Sequence, residues 1–252
     1  MYSFEDKVVF ITGSSTGIGR AAALAFADFG ADVIVHYNSS QSEALEVVAD
    51  IKKKGRKAIA VHGDVSSKGD IDEMMKAINI HFSKIDVLIN NAGSLIKRSR
   101  LVDLDEELWD QVIDINLKSV YLVTKAVLPM MKKQQKGKII NVTSVAARNG
   151  GGYGSIAYAA AKGGVSTLTR ALAKDLIEYG IIVNGIAPGV ISTPFHDRFS
   201  PMEIRKKQVT NIPLGREGTP KETVGSLLFL ASEYSDYIVG EIIEVNGGML
   251  MD

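Results

Sequence analysis

"VVFITGSSTGIGRAAALAFADFGADVIVHY", Val8–Tyr37, decides the fold. A β-branched apolar run is followed by a turn carrying Gly13, Gly17 and Gly19, an alanine-rich amphipathic stretch and a second β-branched run. Strand, glycine turn, helix and strand in that order make a βαβ unit with its two strands parallel. The glycines stand at G-x3-G-x-G spacing, not the G-x-G-x-x-G of the common dinucleotide fingerprint. The physical needs are alike: a tight turn, close approach of backbone to a phosphate, and a helix packed on a strand with no Cβ between them. Exposed N–H groups and the positive end of the helix dipole then favour a pyrophosphate. No G-K-[ST] follows, so the loop is not a P-loop.

The alternation continues to the end of the chain. "KVVFIT", "ADVIVHY", "KAIAVHG", "IDVLIN", "GKIINVTS", "IIVNGIA" and "GEIIEVN" read as strands, with helical patterns between them at about 17–29, 41–54, 67–82, 105–134, 156–179 and 219–232. The strands are apolar on both faces, as a parallel sheet covered by helices on each side requires. No linker or composition break divides residues 1–252, which read as one domain. The stretch 190–218 breaks the rhythm with Pro194, Pro201, Pro213, Gly215 and Gly218 and a short helical piece around 201–210. An excursion of that length reads as a lid or binding loop.

Bulk properties exclude several functions. Hydrophobic residues are 46% and charged residues 23%, the composition of a globule with a sizeable core. Acidic and basic residues number 29 each, so charge points to neither nucleic acid nor an anionic membrane. There is no cysteine, hence no disulfide, thiol nucleophile or thiolate metal site. The four histidines, 36, 62, 81 and 196, have no metal-ligand spacing, and no metal is expected. The N-terminus does not read as a signal peptide, and no apolar stretch reaches the ~18 residues of a membrane span. A soluble, cytoplasmic protein is the expectation.

Two features carry chemistry. In "YAAAK", Tyr158 and Lys162 stand four apart, one turn of helix, on one face. Alone, such a pair is an ordinary solvated contact; beside a nucleotide it is a phenol whose proton a cation can make labile. After the second strand come His36, Tyr37, Asn38, Ser39 and Ser40, with no acid until Glu43. A carboxylate there would bind the ribose 2′-OH and repel a 2′-phosphate. Its absence favours NADP over NAD, with NAD possible. Thr16 occupies the glycine loop where an arginine could clamp the phosphate, and Arg20 opens the helix beyond it.

Together, "TGSSTGIG" (12–19), "GDV" (63–65), "NNAG" (90–93), Asn116 in "DINLKS", Ser144 in "NVTS", "YAAAK" (158–162) and "PGVIST" (188–193) resemble the short-chain dehydrogenase/reductase family, in its order and over nearly the whole chain. Within it, the chain is similar to 3-oxoacyl-carrier-protein reductases and related sugar dehydrogenases. The resemblance implies an α/β, Rossmann-type, doubly wound parallel sheet of about seven strands. It also implies a catalytic set of Asn116, Ser144, Tyr158 and Lys162. Gly13 and Gly19 would line the pyrophosphate, within a loop that also holds Ser15, Thr16, Gly17 and Ile18. Tyr37, Asn38 and Ser39 would face the adenosine, Asp64 and Val65 the adenine, and Asn91 its ribose, beside Ala92 and Gly93. Pro188, Gly189, Val190 and Thr193 would meet the nicotinamide end, with Tyr158 and Lys162. Ser144 lies 14 residues before Tyr158, where the family more often has 13. Either the glycine loop "RNGGGYGS" absorbs the extra residue or Thr143 takes the serine's place.

Hydride transfer to a ketone leaves an alkoxide that needs a proton. A free phenol titrates near 10, and a nearby ammonium is expected to lower it by two or three units toward the working range. Ser144 would stabilise the developing oxyanion, and Asn116 would support a water-linked proton path to Lys162. Three functions fit: an NADP-linked carbonyl reductase of the 3-oxoacyl type, a sugar or polyol dehydrogenase, or a nucleotide sensor without turnover. A carrier-protein partner would meet Lys97, Arg98 and Arg100. Apolar residues on several faces of 105–134 and 156–179, such as Val112, Leu122, Leu168 and Leu172, suggest a homo-oligomer, a dimer or tetramer.

Overall fold

The computed structural model describes residues 2–251. The elements in chain order are β1 (Val8–Ile11), α1 (Gly17–Asp28), β2 (Asp32–Tyr37), α2 (Gln41–Lys53), β3 (Ala58–His62), α3 (Lys68–His81), β4 (Val87–Asn90), α4 (Glu106–Ile113), a π-helical turn (Asp114–Lys118), α5 (Ser119–Gln134), β5 (Gly137–Val142), α6 (Ala146–Asn149), α7 (Ile156–Leu176), β6 (Ile181–Pro188), α8 (Pro194–Phe199), α9 (Met202–Val209), α10 (Pro220–Ala231) and β7 (Ile242–Val245). The strands form one sheet in the order β3-β2-β1-β4-β5-β6-β7, every pair parallel. The order reverses between β1 and β4, where Ile11 lies opposite Ile89. In such sheets the crevice beyond the strand ends at that reversal is where ligands bind.

Alternation along each strand feeds two cores. Val9 and Ile11 point to one face, among Phe26 of α1, Val47 and Ile51 of α2 and Leu227 of α10. Val8 and Phe10 point to the other, among Ile71 and Ile78 of α3, Val127 and Met131 of α5 and Leu176 of α7. Helix starts follow local chemistry. Ser67 caps α3 by accepting from the Asp70 N–H, and Thr219 and Glu222 form a capping box on α10 with Pro220 in its first turn.

The expected helix over 105–134 is three pieces. Its centre widens into the π turn that contains Asn116, whose amide donates to the Val112 carbonyl one turn back. Such insertions occur mostly at functional sites. The excursion at 190–218 holds two helices; α8 lies outside the expected piece, although Pro194 marks its start. Most of the apolar surplus packs at home: Val112, Val120, Val127 and Val165 are buried, and Leu122, Leu128 and Leu172 rest against the second core.

Candidate active site

The C-terminal ends of six strands open onto one cleft of about 1000 Å³. Gly13 follows β1, Asn38 and Ser39 follow β2, Asp64 and Val65 follow β3, Asn91, Ala92 and Gly93 follow β4, Ser144 follows β5, and Gly189 and Val190 follow β6; all line it. Ser15, Thr16, Gly17, Ile18, Tyr37, Pro188, Thr193, Tyr158 and Lys162 also stand on its walls, and of the expected set only Gly19 and Asn116 do not.

One end fits a dinucleotide. Gly13 and Gly17 have φ of +61° and +56°, where a side chain would strain the turn. Thr16 starts α1 without a side-chain cap, and the first turn has no acidic residue, so its N–H donors and dipole are left for an anion. Gly19 does not line the phosphate region as expected. It is buried beneath the loop, where a Cβ would lie 2.3 Å from the Gly13 carbonyl oxygen. Asn91 lines the cleft while its amide is engaged with the loop, donating to the Thr12 and Gly13 carbonyls at 2.9 Å each. Past β2, Asn38, Ser39 and Ser40 line the cleft without a carboxylate among them. Arg20 faces Glu46 and Asp50 on α2, at 3.8 and 4.0 Å.

At the other end Tyr158, Lys162 and Ser144 meet. The Lys162 Nζ sits 5.7 Å from the Tyr158 ring centroid and donates to the Val142 carbonyl at 2.8 Å. The Ser144 hydroxyl, which accepts the Ala146 N–H at 3.1 Å, stands near enough to the phenol to favour its ionised form. Thr143 cannot replace it, because its hydroxyl contacts the Lys162 carbonyl and the Ser166 hydroxyl at 2.9 Å each. Between Ser144 and Tyr158 the chain turns at Gly150, Gly151 and Gly154, all at positive φ. Asn116 is fully buried behind the wall: its amide donates to the Ser94 carbonyl at 2.6 Å and its Oδ1 accepts from the Ser94 N–H at 3.1 Å. Gly93 separates it from Lys162; a Cβ there would lie 2.6 Å from Asn116 Oδ1 and 3.3 Å from the Lys162 Nζ.

The expected lowering of the phenol is not found. Burial pushes Tyr158 up to about 12, opposed by the Ser144 hydroxyl. Burial pushes Lys162 down to about 8. The site therefore holds a protonated phenol beside a cation that has lost much of its solvation.

The excursion at 190–218 supplies the roof, through contacts that residue spacing does not give. Phe195 of α8 lies over Tyr158, ring centroids 5.7 Å apart, and Phe199 packs on Phe195 at 5.1 Å. Arg98 ties the roof down: its guanidinium donates to the Phe199 carbonyl at 2.5 Å, the Tyr153 carbonyl at 2.8 Å and the Ser200 hydroxyl at 3.2 Å. It is thus removed from the basic patch expected to meet a carrier protein, leaving Lys97 and Arg100 exposed. Tyr153 is 92% exposed and packs nothing. Arg205 of α9, 8% exposed, anchors the lid by donating to Glu217, to Asp197 at 2.5 Å and to Ser192 at 3.1 Å. The "STPF" run signals α8, but nothing local announces these arginine contacts.

Comparison with known proteins bears on the same residues. A family model described as Enoyl-(Acyl carrier protein) reductase matches residues 13–250. The 3-oxoacyl-[acyl-carrier-protein] reductase of Synechocystis sp. is 42% identical over 252 residues, all of both chains. That of Thermotoga maritima is 40% identical over 247 residues, 98% of this chain and 99% of its own. A solved short-chain type dehydrogenase/reductase from Mycobacterium marinum has a TM-score of 0.93 at 32% identity, covering 99% of this chain and 98% of its own. A suggested gluconate dehydrogenase from Agrobacterium tumefaciens has the same TM-score at 33% identity and the same coverage.

Proposed function

The chain belongs to the short-chain dehydrogenase/reductase family and is an NAD(P)-dependent oxidoreductase, and from that premise we propose that it reduces the ketone of a 3-oxoacyl thioester with NADPH. The observation that carries this reading is one cleft with an uncapped helix N-terminus at one end and Tyr158, Ser144 and Lys162 at the other. The substrate class rests on the 3-oxoacyl reductases that match along their full length. The choice of NADPH rests on the carboxylate-free stretch after β2.

Bound nicotinamide supplies the hydride. Tyr158, protonated at neutral pH, donates its proton to the oxygen that gains negative charge. Ser144 donates a hydrogen bond to that oxygen as the charge grows. The phenolate left behind is stabilised by the Lys162 ammonium. Asn116 holds the Gly93–Ser94 turn against Lys162 and so fixes where the ammonium stands. The phenol and serine converge on a single oxygen, which suits C=O reduction better than the C=C reduction named in the family description.

A sugar or polyol dehydrogenase is the second reading, favoured by the Agrobacterium relative and by Ser94, Asn149 and Asn211 in the cleft wall. We also propose a cytoplasmic location, which the cysteine-free chain suits, and self-association through α4 and α5, where Trp109 and Tyr121 remain exposed. No helix among the described residues is long and apolar enough to cross a membrane.

Assay of 3-oxoacyl thioesters, simple ketones and polyols with NADPH, NADH, NADP and NAD, read by nicotinamide absorbance, tests substrate and cofactor together. Fastest turnover on a polyol with NAD would replace the proposal by the second reading. Tyr158→Phe is expected to keep dinucleotide affinity within about twofold and to lose about 10²–10⁴ in turnover. Unchanged turnover in that variant removes the phenol from the chemistry.

A further inference from the structure

We propose that His36 is a positioning residue for the dinucleotide, holding the glycine loop in its binding shape as a neutral acceptor. The inference rests on the dinucleotide-binding reading above. His36 ends β2 and is 2% exposed, yet it reaches the cleft wall. Its Nδ1 accepts the Gly13 N–H at 2.8 Å. Its Nε2 lies 2.9 Å from the Gly63 carbonyl. An N–H can only be accepted by a nitrogen with a free lone pair, so the proton must sit on Nε2, where it meets the carbonyl. Both contacts are satisfied by that one neutral tautomer.

The backbone of the same residue completes a clip. The Ser14 N–H donates to the His36 carbonyl at 2.9 Å, and the His36 N–H donates to the Ser14 hydroxyl at 3.0 Å. Gly13 sits at positive φ with its carbonyl taken by Asn91, so its N–H is the remaining handle on its orientation. One imidazole therefore joins the turn after β1, where a pyrophosphate would lie, to Gly63 and Asp64 beyond β3, where an adenine would lie.

Protonation would place a second N–H against that of Gly13 and a cation in a buried position. The ionisable groups around the ring are His62 of β3 and Asp64 of the following turn, which act on it in opposite directions. Burial is the larger influence and holds the imidazole below its ordinary titration range.

Three proteins test this: wild type, His36→Asn, which keeps an acceptor near Nδ1 and cannot titrate, and His36→Leu, which keeps neither contact. NADPH and NADH binding is measured by nucleotide fluorescence from pH 5.5 to 8. At pH 7.5 His36→Leu is expected to raise the dissociation constant about tenfold, an unmet buried donor's effect, with kcat at saturation within about twofold. His36→Asn is expected to stay within about threefold of wild type. From pH 8 down to the ordinary imidazole value near 6.5, wild type is expected to run parallel to His36→Asn, because burial keeps the ring neutral there. In the free protein, amide exchange of residues 12–19 is expected to be faster in His36→Leu than in His36→Asn. Equal binding by wild type and His36→Leu, a wild-type affinity lost between pH 8 and 6.5 while that of His36→Asn holds, or equal exchange in the two variants would overturn the inference alone. A wild-type protein that binds neither dinucleotide would instead defeat the functional reading beneath it.

Discussion

The two ends of the cleft are built by different means. The dinucleotide end is made of backbone: glycines at positive φ, an uncapped helix start, carbonyls held by Asn91 and an N–H held by His36. The substrate end is made of long side chains: Arg98 and Arg205 fasten α8 and α9 across more than one turn of the chain, and Phe195 closes over Tyr158. The first end is set once the sheet forms. The second depends on charged contacts between a lid and its surroundings, so it can loosen while the sheet stays intact.

The largest expected effect breaks the backbone end. Gly19→Val places a branched side chain where even a Cβ would lie 2.3 Å from the Gly13 carbonyl oxygen and 2.8 Å from the Ser14 Cα. Neither atom is the end of a flexible side chain. Dinucleotide affinity should fall by more than about 100-fold, read by the same fluorescence titration. A circular dichroism spectrum unlike that of wild type would show that the whole fold, not the loop, had failed.

Lys162→Met tests the junction of the two ends. Turnover should drop about 100-fold as the phenolate loses its cation. The cofactor-free variant should nevertheless be more stable at pH 7, by about 1–3 kcal/mol, because a buried charge is gone. The sign has a pH signature. Lys162 titrates near 8 in the folded chain and near 10.4 when unfolded, so its penalty is fully present below pH 8. It fades as pH rises from about 8 to 10, and the stability gap between variant and wild type should shrink across that window. Thermal melts at pH 7 and 9.5 measure it.

Arg205→Met should act on the lid alone. A KM for the ketone substrate raised about tenfold, with dinucleotide affinity unchanged, is the expected outcome. The smallest effect is the lid's response to acid. Arg205 lowers the Glu217 carboxyl below its usual range. The lid's support is therefore present above the ordinary glutamate value of about 4.3 and lost as pH falls through the lower folded value. Limited proteolysis of 190–218 should speed up below about pH 4 in wild type and be fast at every pH in Arg205→Met.

What could be read from the sequence follows the same division. The succession of strands and helices along the chain, the glycine loop and the Tyr158–Lys162 pair depend on local spacing and backbone freedom, which residue types report directly. Ser144 over Thr143 needed the structure, since only folding shows which hydroxyl is already engaged. Gly19 stands beneath the loop and off the cleft wall, where its missing Cβ leaves room for the Gly13 carbonyl, and the Asn91 amide braces the same loop; neither tertiary contact is visible in a glycine spacing. Arg98 looked like exposed charge because its acceptors, the carbonyls of Tyr153 and Phe199, lie 55 and 101 residues away. The phenol's titration was misjudged because a lysine's spacing is visible in sequence, whereas the desolvation of both groups is not.

The π turn at Asp114–Lys118 sets a length that cannot be trimmed. Each residue of an α-helix advances about 100° around its axis. Deleting one here would restore ordinary winding and swing α4 a quarter-turn or more relative to α5. Asn116 would leave Ser94. The grip of Asn116 on the turn beside Lys162 thus hangs on a single surplus residue.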